Sequence, residues 1–243
     1  MKNVVTALLF LTAFWCSLSS CKRKKTEGKG EIKTETRGVT SFATIDLSTS
    51  VTAVIVVDPA AQPSVTLKGY ANILELIKTE VTNGTLKVYT DDLVHFRSDK
   101  DVVAEITVPS LQALEISGAS DATIKGPLTA EKFNLEVSGA GDVVIENMTA
   151  NTFEAELTGA GQLEVKGGSV NKLAYDVTGA GDISTFPLQS KTAEVTVTGM
   201  GDVELSVSDA LDASITGAGD INYKGHPQLT TNITGGGSIE DAK

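Results

Sequence analysis

A five-residue glycine corner recurs seven times between Leu111 and Lys243, and it limits the possible folds more than any other feature of the chain. The copies begin at Ser117, Ser138, Thr158, Thr178, Thr198, Thr216 and Thr234. They read S-G-A-S-D, S-G-A-G-D, T-G-A-G-Q, T-G-A-G-D, T-G-M-G-D, T-G-A-G-D and T-G-G-G-S. Their first glycines are spaced by 21, 20, 20, 20, 18 and 18 residues. A period near 20 marks stacked coils, in which each unit buries its apolar face only against its neighbours.

The residues around each corner alternate. Ile116, Val137, Leu157, Val177, Val197, Ile215 and Ile233 lie two positions before the first glycine. Glu115, Glu136, Glu156, Asp176, Thr196, Ser214 and Asn232 lie three before it. A period of two describes strands with one dry and one wet face. Apolar residues resume four positions after the glycine, from Ala122 to Ile239. Each repeat thus predicts two short strands joined at the corner. A second turn is expected at Gly126-Pro127, Asn147-Met148, Gly167-Gly168, Phe186-Pro187, Ser208-Asp209 and Gly225-His226-Pro227, where the residue types favour turns.

Two all-β architectures accommodate this pattern. One is an antiparallel sandwich or barrel. The other is a β-solenoid, whose equivalent positions stack about 4.8 Å apart. A sandwich has no reason to repeat one corner seven times, whereas stacked coils require equivalent corners. The expectation is a single-stranded right-handed β-helix of about 20-residue coils, the hand following the general crossover preference. Phosphate-binding glycine loops need a following helix, and here another strand follows each corner.

The N-terminus has a different character. Met1-Lys2-Asn3 is a short basic start, followed by an apolar run from Val4 to Trp15. This is the pattern of a secretory signal. Leu18-Ser19-Ser20-Cys21 resembles a bacterial lipobox. The expected organisation is a lipoprotein signal peptide over 1–20, a lipidated Cys21 with a flexible tether over 21–37, and a solenoid over 38–243. Within the solenoid, 38–110 is irregular and 111–243 carries the regular repeats. Removal of Cys16 with the signal would leave no thiol for a disulfide or a thiolate metal site. Lys22 to Lys25 could rest on anionic headgroups.

The irregular half reads as degenerate coils at the end of the stack, with a separate small β domain as the alternative. Ile73 to Ile77 fits either a short helix or a strand. Asn83-Gly84 fits a hairpin turn or another coil corner. Asp91 to Asp101 is polar and reads as an excursion. The last strand, with Glu240 and Asp241, would blunt the open edge.

Several of these segments together resemble a known family. They are Phe42 and Ile45 in F-x-x-I, Ile77 to Leu86 in I-x-T-E-V-x-N-G-T-L, Val108 to Leu111 in V-P-S-L, and the repeated corners, with Gly219 to Asn222 in a G-x-I-N form. The chain from Val39 to about Ile239 is similar to the auto-transporter adhesin head GIN domain family. The resemblance implies an envelope protein, often a lipoprotein, with β-helical repeats. It transfers no catalytic residue onto this chain.

Candidate chemistry centres on carboxylates. Asp121, Asp142, Asp182, Asp202 and Asp220 recur three residues after the corner glycine, with Gln162 and Ser238 at the equivalent places. Glu115, Glu136, Glu156 and Asp176 form a second row. Stacked like charges repel unless screened, protonated or bridged, and oxygen ligands suit Ca²⁺. The expectation for the Asp row is instead hydrogen bonding to local turn N–H groups, with no cofactor and no metal site. Carboxylate pairs could also serve a carbohydrate-active β-helix enzyme. That reading needs distinctive partners, and those on offer are His95, His226 and Arg97. A concave cluster of His95, Arg97 and carboxylates would favour it. Catalysis is not the expectation.

The net charge of −11 disfavours nucleic acid. The expected partners are membrane lipid, through the acylated N-terminus, and an envelope glycan or protein. Asn151, Asn171 and Thr192 are candidate contacts on a flank. The expected location is the cell envelope, lipid-anchored at the outer membrane. A purely structural envelope component is the alternative function.

Overall fold

The computed structural model describes residues 24–91 and 94–243. The expected signal segment over 1–20 and Cys21 lie outside the described residues. The body is a β-solenoid of about 6 turns. One parallel ladder runs from Thr44–Ser48 through Ala113–Gly118, Leu128–Gly139, Met148–Gly159 and Gly168–Gly179. It continues through Asp182–Gly199 and Val203–Gly217 to Gln228–Gly235. A second ladder runs from Thr52–Val57 through Asp121–Lys125, Val143–Ile145 and Gln162–Val165. It ends at Ile221–Lys224 and Ile239–Asp241. The corners connect the two ladders.

Register follows the sequence repeat. Ile116 lies beside Val137, Val137 beside Leu157, Leu157 beside Val177, and the row reaches Ile233. The inward rows form one continuous buried core that also includes the irregular half. That continuity removes the separate-domain alternative. Phe133, Phe153 and Tyr175 form an aromatic run inside it, with ring centroids 5.7 and 5.8 Å apart. The buried Tyr175 hydroxyl donates to Thr185 Oγ1 at 3.1 Å, and Thr185 donates to the Glu204 carbonyl at 2.8 Å. Loss of water pushes the Tyr175 hydroxyl pKa far above its usual value.

Asp182–Ser184 pairs with Gln162–Glu164, while Leu188–Gly199 pairs with Gly168–Gly179. Val203–Ser206 pairs with Ile221–Lys224, while Ala210–Gly217 pairs with Gln228–Gly235. The chain thus changes ladder at the expected second turns Phe186-Pro187 and Ser208-Asp209, which lie inside the long strands Asp182–Gly199 and Val203–Gly217. Their mutual register shifts between Thr185 and Gln189 and again between Ser190 and Thr192. That irregularity absorbs the drop in period from 20 to 18 residues, so the later glycine corners still superpose.

The irregular half does contain coils, but their spatial order differs from their chain order. Thr44–Ser48 lies between Thr85–Tyr89 and Ala113–Gly118. Likewise Thr52–Val57 lies between Val103–Val108 and Asp121–Lys125. The first coil in sequence is thus the second in space. The outermost coil is closed by antiparallel strands. Lys78–Thr82 covers Thr85–Tyr89 through the Asn83-Gly84 hairpin, where both residues have positive φ as a two-residue type I′ turn requires. Ser64–Tyr70 covers Val103–Val108. The ambiguous stretch begins with a helical turn, Ala71–Leu74, whose Ile73 and Leu74 are buried.

The flexible-tether reading of 21–37 needs correction over its described residues, 24–37. Ile32–Arg37 pairs antiparallel with Ser64–Tyr70, and Lys24–Glu27 pairs parallel with Val94–Arg97 inside the expected polar excursion. The polar composition hid these strands because an outer edge strand needs few apolar residues. Backbone pairing holds the segment, and Arg37 adds a bond from Nη2 to the Leu74 carbonyl at 3.0 Å and an ion pair with Glu35 at 2.8 Å.

Candidate functional site

The outward side chains of the first ladder form parallel rows across the coils. In register, Asp46, Glu115, Glu136, Glu156 and Asp176 stand side by side. The preceding outward row contributes Asn134, Glu154 and Glu194. Between them lies an open groove of about 440 Å³, lined by six of these carboxylates. The sequence period exposed the Glu115–Asp176 row but missed its first member, Asp46, and two carboxylates of the neighbouring row, Glu154 and Glu194. Asp46 escaped because its strand stacks beside Glu115 from 69 residues away, outside the 20-residue period. Glu154 and Glu194 escaped because their row alternates with Ala113 and Ala174.

The row is an array of hydrogen-bond acceptors with a strong negative field. Glu115 shows this most clearly. Partial burial first, and then Asp46 and Glu136, raise its carboxyl pKa, against the opposing pull of Lys87. Its folded pKa lies above its unfolded value, so its ionisation works against folding as pH rises through that interval. Lys87 approaches Asp46 at 3.8 Å, and Lys132 pairs with Glu154 at 2.8 Å. Glu115, Glu136, Glu156, Asp176 and Glu194 form no ion pair among the described residues. Among the described residues, no three His, Cys, Asp or Glu side chains converge to hold a metal ion.

The corner Asp row has a structural explanation other than the local turn bond. Each carboxylate accepts an N–H from the next coil. Asp121 Oδ1 accepts from Asp142, Asp142 from Gln162, Asp182 from Asp202, Asp202 from Asp220, and Asp220 from Ser238, at 2.7 to 3.1 Å. Gln162 breaks the chain of carboxylates, and the Asp182 N–H bonds the Gly161 carbonyl instead at 3.2 Å. The Asp thus belongs to the stacking geometry. We expect Asp202→Ala to lower stability by roughly 1 kcal/mol, the usual worth of one such bond. Asp202→Asn keeps an acceptor and should cost about half as much or less. Urea denaturation of the two variants measures the difference.

Other candidates fall into place around these rows. Asn171 Nδ2 donates to Asn151 Oδ1 and Asn151 Nδ2 to Glu131, each at 2.9 Å. Thr192 donates to the Asn171 carbonyl at 3.4 Å. These three flank residues bond along the stack. His95 and Asp91 line one shallow groove, while Arg97, Asp101 and Asp121 line another. His226 is exposed at a corner beside Lys224 and Phe186. His95, Arg97 and His226 therefore lie in separate grooves, and none of them lines the groove of the Glu115–Asp176 row.

One departure in the corners also gains a reason. Ser120 replaces the second glycine in the first copy. It is fully buried, donates to the Thr49 carbonyl at 2.6 Å and accepts from the Val51 N–H at 3.1 Å. The coil beneath it turns through Thr49-Ser50-Val51 without a glycine corner, so a bonding side chain fits where the later coils bring backbone against backbone.

No helix among the described residues is long and apolar enough to cross a membrane. Comparison with curated proteins gives no match. Among solved structures, the chain is similar to a putative adhesin from Bacteroides fragilis NCTC 9343, at 26% identity and a TM-score of 0.84, covering 88% of this chain and 98% of the other. It shares its fold with a putative lipid binding protein from Parabacteroides distasonis ATCC 8503, at 23% identity and a TM-score of 0.74, covering 90% and 100%. It also shares the fold with a putative adhesin from Parabacteroides merdae ATCC 43184, at 18% identity and a TM-score of 0.71, covering 90% and 99%. A family model matches residues 41–227, spanning both the reordered first coils and the glycine corners. The chain belongs to the family described as putative auto-transporter adhesin, head GIN domain.

Proposed function

We propose that this protein is a non-catalytic adhesion component of the cell envelope, held by lipid on Cys21 at the outer membrane. It presents the acidic groove face to a partner with a cationic surface, either a protein or an amine-bearing glycan. The observation that carries the reading is the rigid carboxylate row from Asp46 to Asp176, in register over five coils. A row fixed by backbone ladders loses little conformational freedom when it meets a partner. Adhesion also agrees with the family and with the similar adhesin structure. The lipid reading rests on the order of basic start, apolar run and Leu18-Ser19-Ser20-Cys21. With Lys24–Glu27 paired to Val94–Arg97, such an anchor would seat the covered end of the solenoid near the membrane.

Palmitate labelling tests the anchor. The full chain should incorporate label, and Cys21→Ser should lose essentially all of it. Equal labelling of the two, or none in either, would overturn the anchor.

A further inference from the structure

The two ends of the solenoid are finished differently. At the N-terminal end, Lys78–Thr82 covers one edge of the outermost coil, and Ser64–Tyr70 with Ile32–Arg37 covers the other. At the C-terminal end, Gln228–Gly235 pairs only with Val203–Gly217 among the described residues. Its other edge presents free N–H and C=O groups, which form a template for another strand. The core is open there as well. The buried row Leu211, Ala213 and Ile215 continues as Leu229, Thr231 and Ile233. Leu229 and Ile233 are each 44% exposed, although they occupy inward positions.

Natural edge strands carry charges, bulges or proline against association. The stretch Q-L-T-T-N-I-T-G has no charge and no proline, in a chain of net charge −11. The acids Glu240 and Asp241 stand on the neighbouring three-residue strand. They blunt only that short edge and leave the long one unguarded.

We infer that the strand Gln228–Gly235 is a self-pairing surface, and that its partner is the same strand of a second copy, antiparallel about Thr231. Three features select this occupant. The sequence is self-complementary in that register: Leu229 faces Ile233 of the second copy, Thr231 faces its equivalent, and Thr230 faces Asn232. Inward residues meet inward residues, so the two open cores close on each other. No pair in the register sets like charges against each other, in a chain whose other faces are acidic. Head-to-tail stacking is disfavoured because the opposite end presents the charged edge strands Lys78–Thr82 and Ile32–Arg37, which favours a closed two-fold dimer. In that dimer the two covered ends lie farthest apart. Given the lipid anchor proposed above, on which this clause alone rests, the pair joins two anchored surfaces by a like-with-like contact.

Disulfide trapping in cells expressing the full chain tests the pairing. Thr231→Cys should give a covalent dimer on mild oxidation, whereas the unsubstituted chain and Asn222→Cys should not. Adding Ile233→Lys should reduce trapping at least tenfold, because it sets a charge into the closed core. Light scattering of the purified protein in detergent provides a second readout. The unsubstituted chain should show a concentration-dependent dimer, and Ile233→Lys should weaken its Kd roughly a hundredfold. An absence of trapping with a monomer at every concentration would overturn the inference. Trapping that Ile233→Lys leaves unchanged, or Thr231→Cys linked only to a different protein, would overturn it as well. Palmitate labelling fails or succeeds independently of these results.

Discussion

Gly179→Ala is expected to destabilise the protein by roughly 2–5 kcal/mol, combining the cost of a left-handed backbone with an overpacked contact. The residue has φ 120°, where a side chain is strained. A Cβ placed there would lie 2.5 Å from the Gly159 carbonyl oxygen of the preceding coil. That same oxygen accepts the Ala180 N–H at 2.8 Å. The strand cannot move away without losing the corner bond, and the same contact recurs at Gly159, Gly199, Gly217 and Gly235. Gly179 is the roomiest of these stacked positions, so the others should tolerate alanine less well. Gly236→Ala is the control. It occupies the corner position that holds alanine in five other copies, and a Cβ there meets nothing within 4 Å. Thermal melting should show a fall of roughly 5–15 °C for Gly179→Ala in a chain of this size and little change for Gly236→Ala.

Phe153→Ala is expected to cost about 3–5 kcal/mol, as buried aromatic truncations do. Phe153 is fully buried and bridges two aromatic contacts, a tilted one to Phe133 and an edge-on one to Tyr175. Its ladder neighbours are Phe133 on one side and Leu173 on the other. Backbone pairing holds these three at fixed spacing, so the coils cannot slide together to fill the void. Phe153→Leu imitates the next coil and should lose less than half as much. Urea unfolding of both variants measures the cost. The loss should appear in the middle coils first, because each coil of a solenoid contacts only its neighbours.

The regular half was legible in the sequence because its physics is local and repeated. The alternation around each corner assigned the inward row from Ile116 to Ile233 correctly, and the glycine spacing predicted coils in register. Legibility failed where distance along the chain and distance in space part company. Nothing near Thr44–Ser48 announces that it slots between Thr85–Tyr89 and Ala113–Gly118. Asp46 was invisible as a member of the acidic row for the same reason. Ile32–Arg37 was missed because edge pairing leaves little trace in composition. The Asp row was legible as a pattern but not as chemistry. Its bonds reach the following coil, and the consequence of Gln162 at Asp182 appears only once both are placed.

The acidic row bears on function most directly, and it can be tested without knowing the partner in advance. The measurement is capture of envelope material by the immobilised full-length protein in detergent, at low and moderate salt, compared with Glu136→Gln/Glu156→Gln. Both glutamates are outward and exposed, so the amides preserve shape while removing two charges from the centre of the groove. The account predicts salt-sensitive capture that falls at least fivefold in the double variant while the melting temperature holds or rises. Equal capture by the two proteins would contradict it.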